Sequence, residues 1–262
     1  QILDAESLFG QRYRAFNELN VLKFLIADPD HMSSICYAVM SARENMRTTR
    51  DVVPEEAWEH VNELYLYAKD EAGKSIGRRG RQAFLDQVIS RCQMINGLLL
   101  TTLCRDHAYR FIKLGHLLER ADMTTRVIDV GAAALLGDER HHEAVDPLIW
   151  ASILKSLSAM GTYRRTIGPL VEAASVVDFV FRDASLPRSL KFCLNGIREE
   201  LTPMTNNRAA LKVLDRSRRS LSRFDPEDAS RDELHAFIDE FQANLIGLGT
   251  AIDEAWFSPD QA

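Results

Sequence analysis

The sequence predicts an all-α protein, a multi-helix bundle of about eight to nine helices in one domain over residues 1–262. Three observations predict it. Apolar residues recur at steps of three and four along most of the chain. No segment alternates apolar and polar residues between turn signals, as a half-buried strand would. Proline and glycine fall between the periodic stretches, where helices stop.

The elements follow in order. Leu3 to Ile26 carries Leu8, Phe9, Ala15, Phe16, Leu19, Leu22 and Phe24, and it ends at Asp28-Pro29-Asp30 because a proline disfavours helix in the residue before it. A second helix is expected from about His31 to Val52, capped by Asp30 or Ser33. Pro54 opens a third, Glu55 to Lys69, with acidic residues in its first turn. Gly73 to Gly80 reads as a loop before the basic cluster Arg78, Arg79 and Arg81. From Gln82 to Leu136 the pattern is too long for one unbent helix, so a break is placed near Leu103–Asp106. The second half runs from Arg105 to Val130. Gly137 to Asp146 is a polar loop, and Pro147 starts a helix to about Tyr163. Gly168-Pro169 punctuates before a helix ending near Phe181. Asp183 to Pro187 is a loop, and Pro187-Arg188-Ser189 opens a helix to about Leu201. Pro203 ends it. A helix then covers about Asn207 to Arg223. The last repeats Leu234, Phe237, Ile238, Phe241, Leu245, Leu248, Ile252 and Trp256, a bundle stripe.

The 262 residues, 46% apolar and 27% charged, have the balance of a globular protein that buries roughly 70–75% of its unfolded surface. A net charge of −6 argues against a general nucleic-acid binder but leaves room for a local basic groove. Cys36, Cys92, Cys104 and Cys193 are far apart, form no C-x-x-C pair and sit among apolar residues. They read as free thiols of a reducing, cytoplasmic compartment. No apolar run reaches the ~18 residues of a membrane span, and no signal peptide is expected before Gln1.

Charge within the apolar pattern marks the candidate site. On Arg105–Val130, Leu114, Leu117, Leu118, Ala121, Thr125 and Ile128 share a face. Glu119 lies on its flank, aligned with Ile112, Gly115, Met123 and Arg126. A glycine inside a helix costs about 1 kcal/mol relative to alanine, so Gly115 suggests a close approach beside Glu119. A carboxylate so placed needs a cationic partner, and Arg126 is one candidate. Arg43, Arg47 and Arg50 form a stripe on the second helix, flanked by Glu44 and Asp51. Like charges stacked this way repel unless something acidic faces them. Three readings are open: an ion-pair network with Glu119 facing the arginines, an anion site for a carboxylate or phosphate, or a solvated face. Met46-Arg47-Thr48-Thr49-Arg50 also parallels Met123-Thr124-Thr125-Arg126, a short match that suggests an internal repeat.

No P-loop, dinucleotide-binding or nucleophile-elbow motif is present. The one E-x-x-H, Glu139 to His142, lies in a polar loop, where His141, His142 and Glu143 read as solvated rather than as metal ligands. His116 stands three residues before Glu119, about 60° around the helix, and is read as no obvious acid–base partner.

Arg105-Asp106, then Tyr109-Arg110-Phe111-Ile112-Lys113-Leu114-Gly115-His116-Leu117-Leu118-Glu119-Arg120-Ala121, resembles the "ER" signature of the alpha-E domain family. Asp28-Pro29-Asp30-His31 leading to Ser34-Ile35, Ala42-Arg43-Glu44-Asn45 with Arg47, Arg50, Asp51, Trp58 and Asn62, and Asp178 to Asp183 leading to Pro187-Arg188-Ser189 and Cys193-Leu194-Asn195 fit the same pattern in order. His116 departs from it, standing where the signature has arginine. The resemblance also implies an earlier Glu-Arg helix, and Gln1 falls about where that helix would end. The core is therefore expected to lack one helix, so a groove could look open for that reason alone.

The family carries no assigned catalytic activity. The resemblance implies members encoded beside, or fused to, an atypical ATP-grasp protein, often with a transglutaminase-like protein, and that setting implies an ATP-dependent system that makes or modifies amide bonds. The implied role is a helical accessory subunit of that system, with ATP and Mg on the partner and no cofactor, metal, nucleic acid or membrane for this chain, and with a homo-oligomer as a further expectation. The alternatives are a transferase or ligase component, with Glu119 as general base and Arg43 and Arg47 holding an anion, or a structural scaffold. The candidate set is Arg43, Glu44, Arg47, Arg50, Arg110, Glu119, Arg120 and Arg126, with Glu119 as the one catalytic candidate.

Overall fold

A computed structural model describes residues 5–134 and 142–258, with side chains for 5–132 and 147–258. The described residues hold twelve α-helices and no strand. These are α1 (Glu6–Arg12), α2 (Glu18–Ile26), α3 (Ile35–Thr48), α4 (Glu55–Glu71), α5 (Arg78–Thr102), α6 (His107–Ala134), α7 (His142–Ser156), α8 (Met160–Thr166), α9 (Ala173–Arg182), α10 (Leu190–Leu201), α11 (Arg208–Arg223) and α12 (Arg231–Trp256).

The count exceeds the expected eight to nine because the periodic stretches traced in order already number ten, and two of these are each divided. Asn17 splits the first: its side chain accepts the Asn20 N–H at 2.9 Å and starts α2 anew. Ser158 splits the other, with a left-handed φ of 54° between α7 and α8. Three boundaries also move. Ser34, not Asp30 or Ser33, caps α3, with its side chain accepting from the Tyr37 N–H. Pro147 lies inside α7 rather than at its start, at the cost of a backbone hydrogen bond. Gly77 precedes α5, which begins four residues before the expected Gln82. The expected break between α5 and α6 falls at residues 103–106.

Contacts divide the chain into two compact units, Gln1–Tyr109 and Arg110–Ala262. In the first, α3 packs on α4 and α4 on α5; in the second, α10 packs on α11 and α11 on α12. The two runs are equivalent, α2–α5 to α9–α12. Ser34 and Ser189 each cap the second helix of the run through the N–H three residues on. Each also donates its hydroxyl to the carbonyl of the aspartate six residues back, Asp28 or Asp183. Arg43 then bonds Asn62 on the third helix, as Arg198 bonds Asp215. The shift between copies is constant except where α10, at 12 residues, is two shorter than α3, at 14. The buried stripe of α4, Ala57, Val61, Leu64 and Ala68, becomes Ala210, Leu214, Ser217 and Leu221 in α11. Phe84, Val88, Ile95 and Leu99 of α5 become Phe237, Phe241, Leu248 and Ile252 of α12. The repeat therefore pairs α3 with α10. The similarity between Met46–Arg50 and Met123–Arg126 is not part of it.

The second copy is better covered. α10 buries Leu190, Cys193, Leu194, Gly196, Ile197, Glu200 and Leu201, whereas α3 buries Val39 alone. The cause is α6. Its Leu117 lies so close to Gly196 that a Cβ there would meet Leu117 Cδ1 at 2.9 Å.

Candidate functional site

The second unit's charged centre forms where α6 crosses α10. Leu114, Leu117, Ala121, Thr124, Thr125 and Ile128 are buried, and this face carries α6 into the core. Arg110 and Lys113 lie one turn apart at its start. Arg110 Nη1 donates to Glu200 at 2.9 Å, and Lys113 Nζ donates to its other oxygen at 2.6 Å. Glu200 is only 6% exposed, so two cations answer the charge that burial penalises. Sequence reading missed Glu200. Its signal is a glutamate at the seven-residue step from the buried Cys193, on the face of α10 that otherwise carries apolar and small residues.

Further along α6, the Arg120 guanidinium reaches the Pro187 carbonyl at 3.4 Å, and Thr124 donates to the Arg188 carbonyl at 3.0 Å. Gln242 of α12 donates to Thr125 at 3.0 Å. His235 of α12 meets Asp129 at 2.6 Å, a bond that raises the imidazole above its ordinary pKa. Arg126 pairs with Asp122, one turn back at 2.7 Å, rather than with Glu119.

Glu119 points the other way. Gly115, His116, Glu119 and Met123 are all exposed. The steps of four from Gly115 through Glu119 to Met123 make a continuous outer strip. Within its own unit Glu119 makes no hydrogen bond or ion pair among the described residues. Gly115 does not mark a close approach, since a Cβ there would meet nothing within 4 Å. The tight positions are Gly196 against Leu117 and Gly131 against Ile153.

The arginine stripe of the first unit finds local partners. Arg47 forks onto Glu44 at 2.6–3.1 Å, and that hydrogen bond holds the Glu44 carboxyl below its usual range. Arg43 Nε donates to Asn62 at 2.7 Å, and its guanidinium lies 4.8 Å from the Tyr65 ring and 5.5 Å from Trp58. Arg50 sits 3.9 Å over Trp58. Ring faces on α4 thus help to separate charges that would otherwise repel along α3.

A second buried charge lies beneath α3. Asp28 accepts from Arg12 at 2.5 Å and from the Asp30 N–H at 3.0 Å. Burial pushes its carboxyl up, but these donors outweigh burial and hold it below the usual range. His31, 3% exposed, stacks on Phe24 at 3.8 Å, and its buried Nε2 has no partner among the described residues.

Among the described residues no group of three His, Cys, Asp or Glu could hold a metal ion. Glu139, His141, His142 and Glu143 lie outside the described side chains. No helix among the described residues is long and apolar enough to cross a membrane. All four cysteines are free thiols. Cys104 is exposed rather than buried, while burial pushes the Cys193 thiol up to about 11.

A family described as a predicted alpha-helical domain with a conserved ER motif matches residues 1–257. The chain is similar to the uncharacterized protein Mb2597 of Mycobacterium bovis, 24% identical over 231 residues. It is similar also to the uncharacterized protein Rv2567 of Mycobacterium tuberculosis, 23% identical over the same length. Each match covers 84% of this chain but 26% of the relative, so the chain spans about a quarter of their length. No solved structure matches the chain.

Proposed function

The chain belongs to the Alpha-E family, and from that premise we propose that it is a binding module, an accessory subunit rather than a catalyst in its own right. The observation that carries this reading is the division of labour in its Glu119-Arg120 pair. Arg120 is turned to a backbone carbonyl of its own unit, while Glu119 stands on an exposed strip with no partner in that unit among the described residues. A charge kept for internal structure would be answered locally, as Glu200 is.

The proposed partner is an ATP-grasp-type ligase, with a transglutaminase-like protein as a further component. ATP and Mg would sit on the ligase, which makes or modifies an amide bond, and this chain would hold the ligase and present its acceptor. Four free thiols fit a cytoplasmic setting for such an assembly. The reading in which Glu119 is a general base beside an anion site is less well supported. Arg47 is already forked onto Glu44, and Arg43 is engaged by Asn62 and two rings.

The test is Glu119→Gln in the full chain. We expect thermal unfolding to shift by less than about 0.5 kcal/mol, as for an exposed residue, while co-elution with the ligase is lost. Wild-type proteins that elute separately, with ligase activity unchanged by this chain, would refute the accessory role. A large loss of stability in E119Q would instead assign Glu119 to a lock onto the Arg43, Arg47 and Arg50 stripe.

A further inference from the structure

The internal repeat exposes a charge inversion. α11 carries Arg208, Lys212, Arg216, Arg219 and Arg223 at successive steps of four, four, three and four, so the five cations lie on one face. All five are exposed, and none has an ion pair or hydrogen bond among the described residues. The equivalent positions of α4, taken through the matched buried stripes, are Glu55, Glu59, Glu63, Leu66 and Asp70. These too are all exposed. One surface of the repeated unit is thus basic in one copy and acidic in the other, with the same spacing over about 22 Å of helix.

A run of unanswered like charges repels itself along a helix. An acidic surface laid along the stripe relieves that repulsion. We propose that the basic stripe of α11 docks the acidic stripe of α4 in a second copy of this chain. The register of the two stripes carries the choice of occupant. Four of the five cations meet a carboxylate position at matching spacing, and Arg219 is set against Leu66. The contact is heterologous, because each copy offers one basic and one acidic stripe. It therefore continues from copy to copy or closes into a ring. Exposed ion pairs are individually weak and screened by salt, so the association is reversible and fades as ionic strength rises.

Sedimentation of the full chain tests it. At about 0.01 M ionic strength, where charges act over about 30 Å, wild type should associate, and at about 1 M it should be monomeric. Two variants divide the contact. Lys212→Glu with Arg216→Glu reverses the basic stripe, and Glu59→Arg with Asp70→Arg reverses the acidic one. Each variant alone should lose association by about tenfold or more. Mixed together, each supplies the stripe the other lacks, so they should form a dimer that grows no further. This last result also shows that both variants are folded. The proposal is overturned if wild type stays monomeric at low salt, if its association survives about 1 M salt, or if either variant associates as wild type does. It is overturned equally if folded variants, judged by circular dichroism, fail to pair when mixed. The same holds if α11 retains a nucleic acid or anionic vesicles while the chain does not self-associate.

Discussion

His31 shows how one residue sets the behaviour of its surroundings. It fills a core position that Leu186 fills in the second copy of the repeat, and both are buried. The imidazole gains a stack on Phe24 but leaves Nε2 without a partner among the described residues. Burial pushes its pKa below the ordinary value, with Asp28 opposing and Arg12 assisting. The unfolded chain therefore binds this proton more readily than the folded one. Stability is lost as pH falls through the unfolded value of about 6.5, and the loss levels off below the folded value. Asp28 adds acid sensitivity lower down, because its depressed carboxyl stabilises the fold above the unfolded carboxylate range and loses that effect as pH falls. His235 has the opposite sign: its pKa is raised by Asp129, so its contribution is present at low pH and is lost as pH rises through the folded value. His31→Leu should thus remove one component of the slope measured from about one pH unit above the unfolded 6.5 to about one unit below it, and should stabilise the chain more at the lower pH than at the higher. Urea denaturation at the two pH values measures this, and an unchanged slope would show that His31 is not its source.

At the level of helices, the glycines of α6 and α10 separate what the sequence reveals from what it hides. The periodicity of α6 and its break from α5 are legible because apolar spacing and chain length encode them directly. The meaning of Gly115 is not, since a glycine looks the same whether it admits a neighbour or faces water. Gly115 faces open space and Gly196 faces Leu117. Gly115→Ala should therefore stabilise α6 by up to about 1 kcal/mol, through helix propensity alone. Gly196→Ala should cost about 1–3 kcal/mol, because buried Leu117 has little room to move. Thermal melts of the two single variants should move in opposite directions, and a shared direction would contradict the packing of α6 on α10. The candidate site was legible in the same uneven way. Arg110 and Arg120 carry the family signature in the sequence, but Glu200, which answers Arg110, is distant along the chain and becomes visible only when α10 is placed. Arg43, Arg47 and Arg50 do share a stripe, yet the rings of Trp58 and Tyr65 that accompany two of them cannot be inferred from spacing on α3. Short helices escaped for a related reason: the stop before α2 rests on the Asn17 cap alone, with no proline or glycine to announce it.

For the molecule as a whole, the repeat implies two units of one design with unequal stability. The second unit holds a contiguous apolar cluster running from Leu114 to Ile252, with α6 laid over α10. In the first, α3 contributes Val39 alone to the core, and Ala38, Met40 and Asn45 are exposed. Apolar burial is worth roughly 25 cal/mol per Å², so a helix that buries one residue is held far less firmly than one that buries seven. The first unit should open without the second. Native-state hydrogen exchange tests this directly. Amides of α3 and α4 should exchange through a sub-global opening of low free energy, while those of α10 and α12 should wait for global unfolding. Denaturant melts followed separately at Trp58, and at Trp150 with Trp256, should not coincide, as expected when two-state behaviour fails. Equal protection in α3 and α10, with a single shared transition, would mean that the first unit draws stability from contacts beyond its own helices.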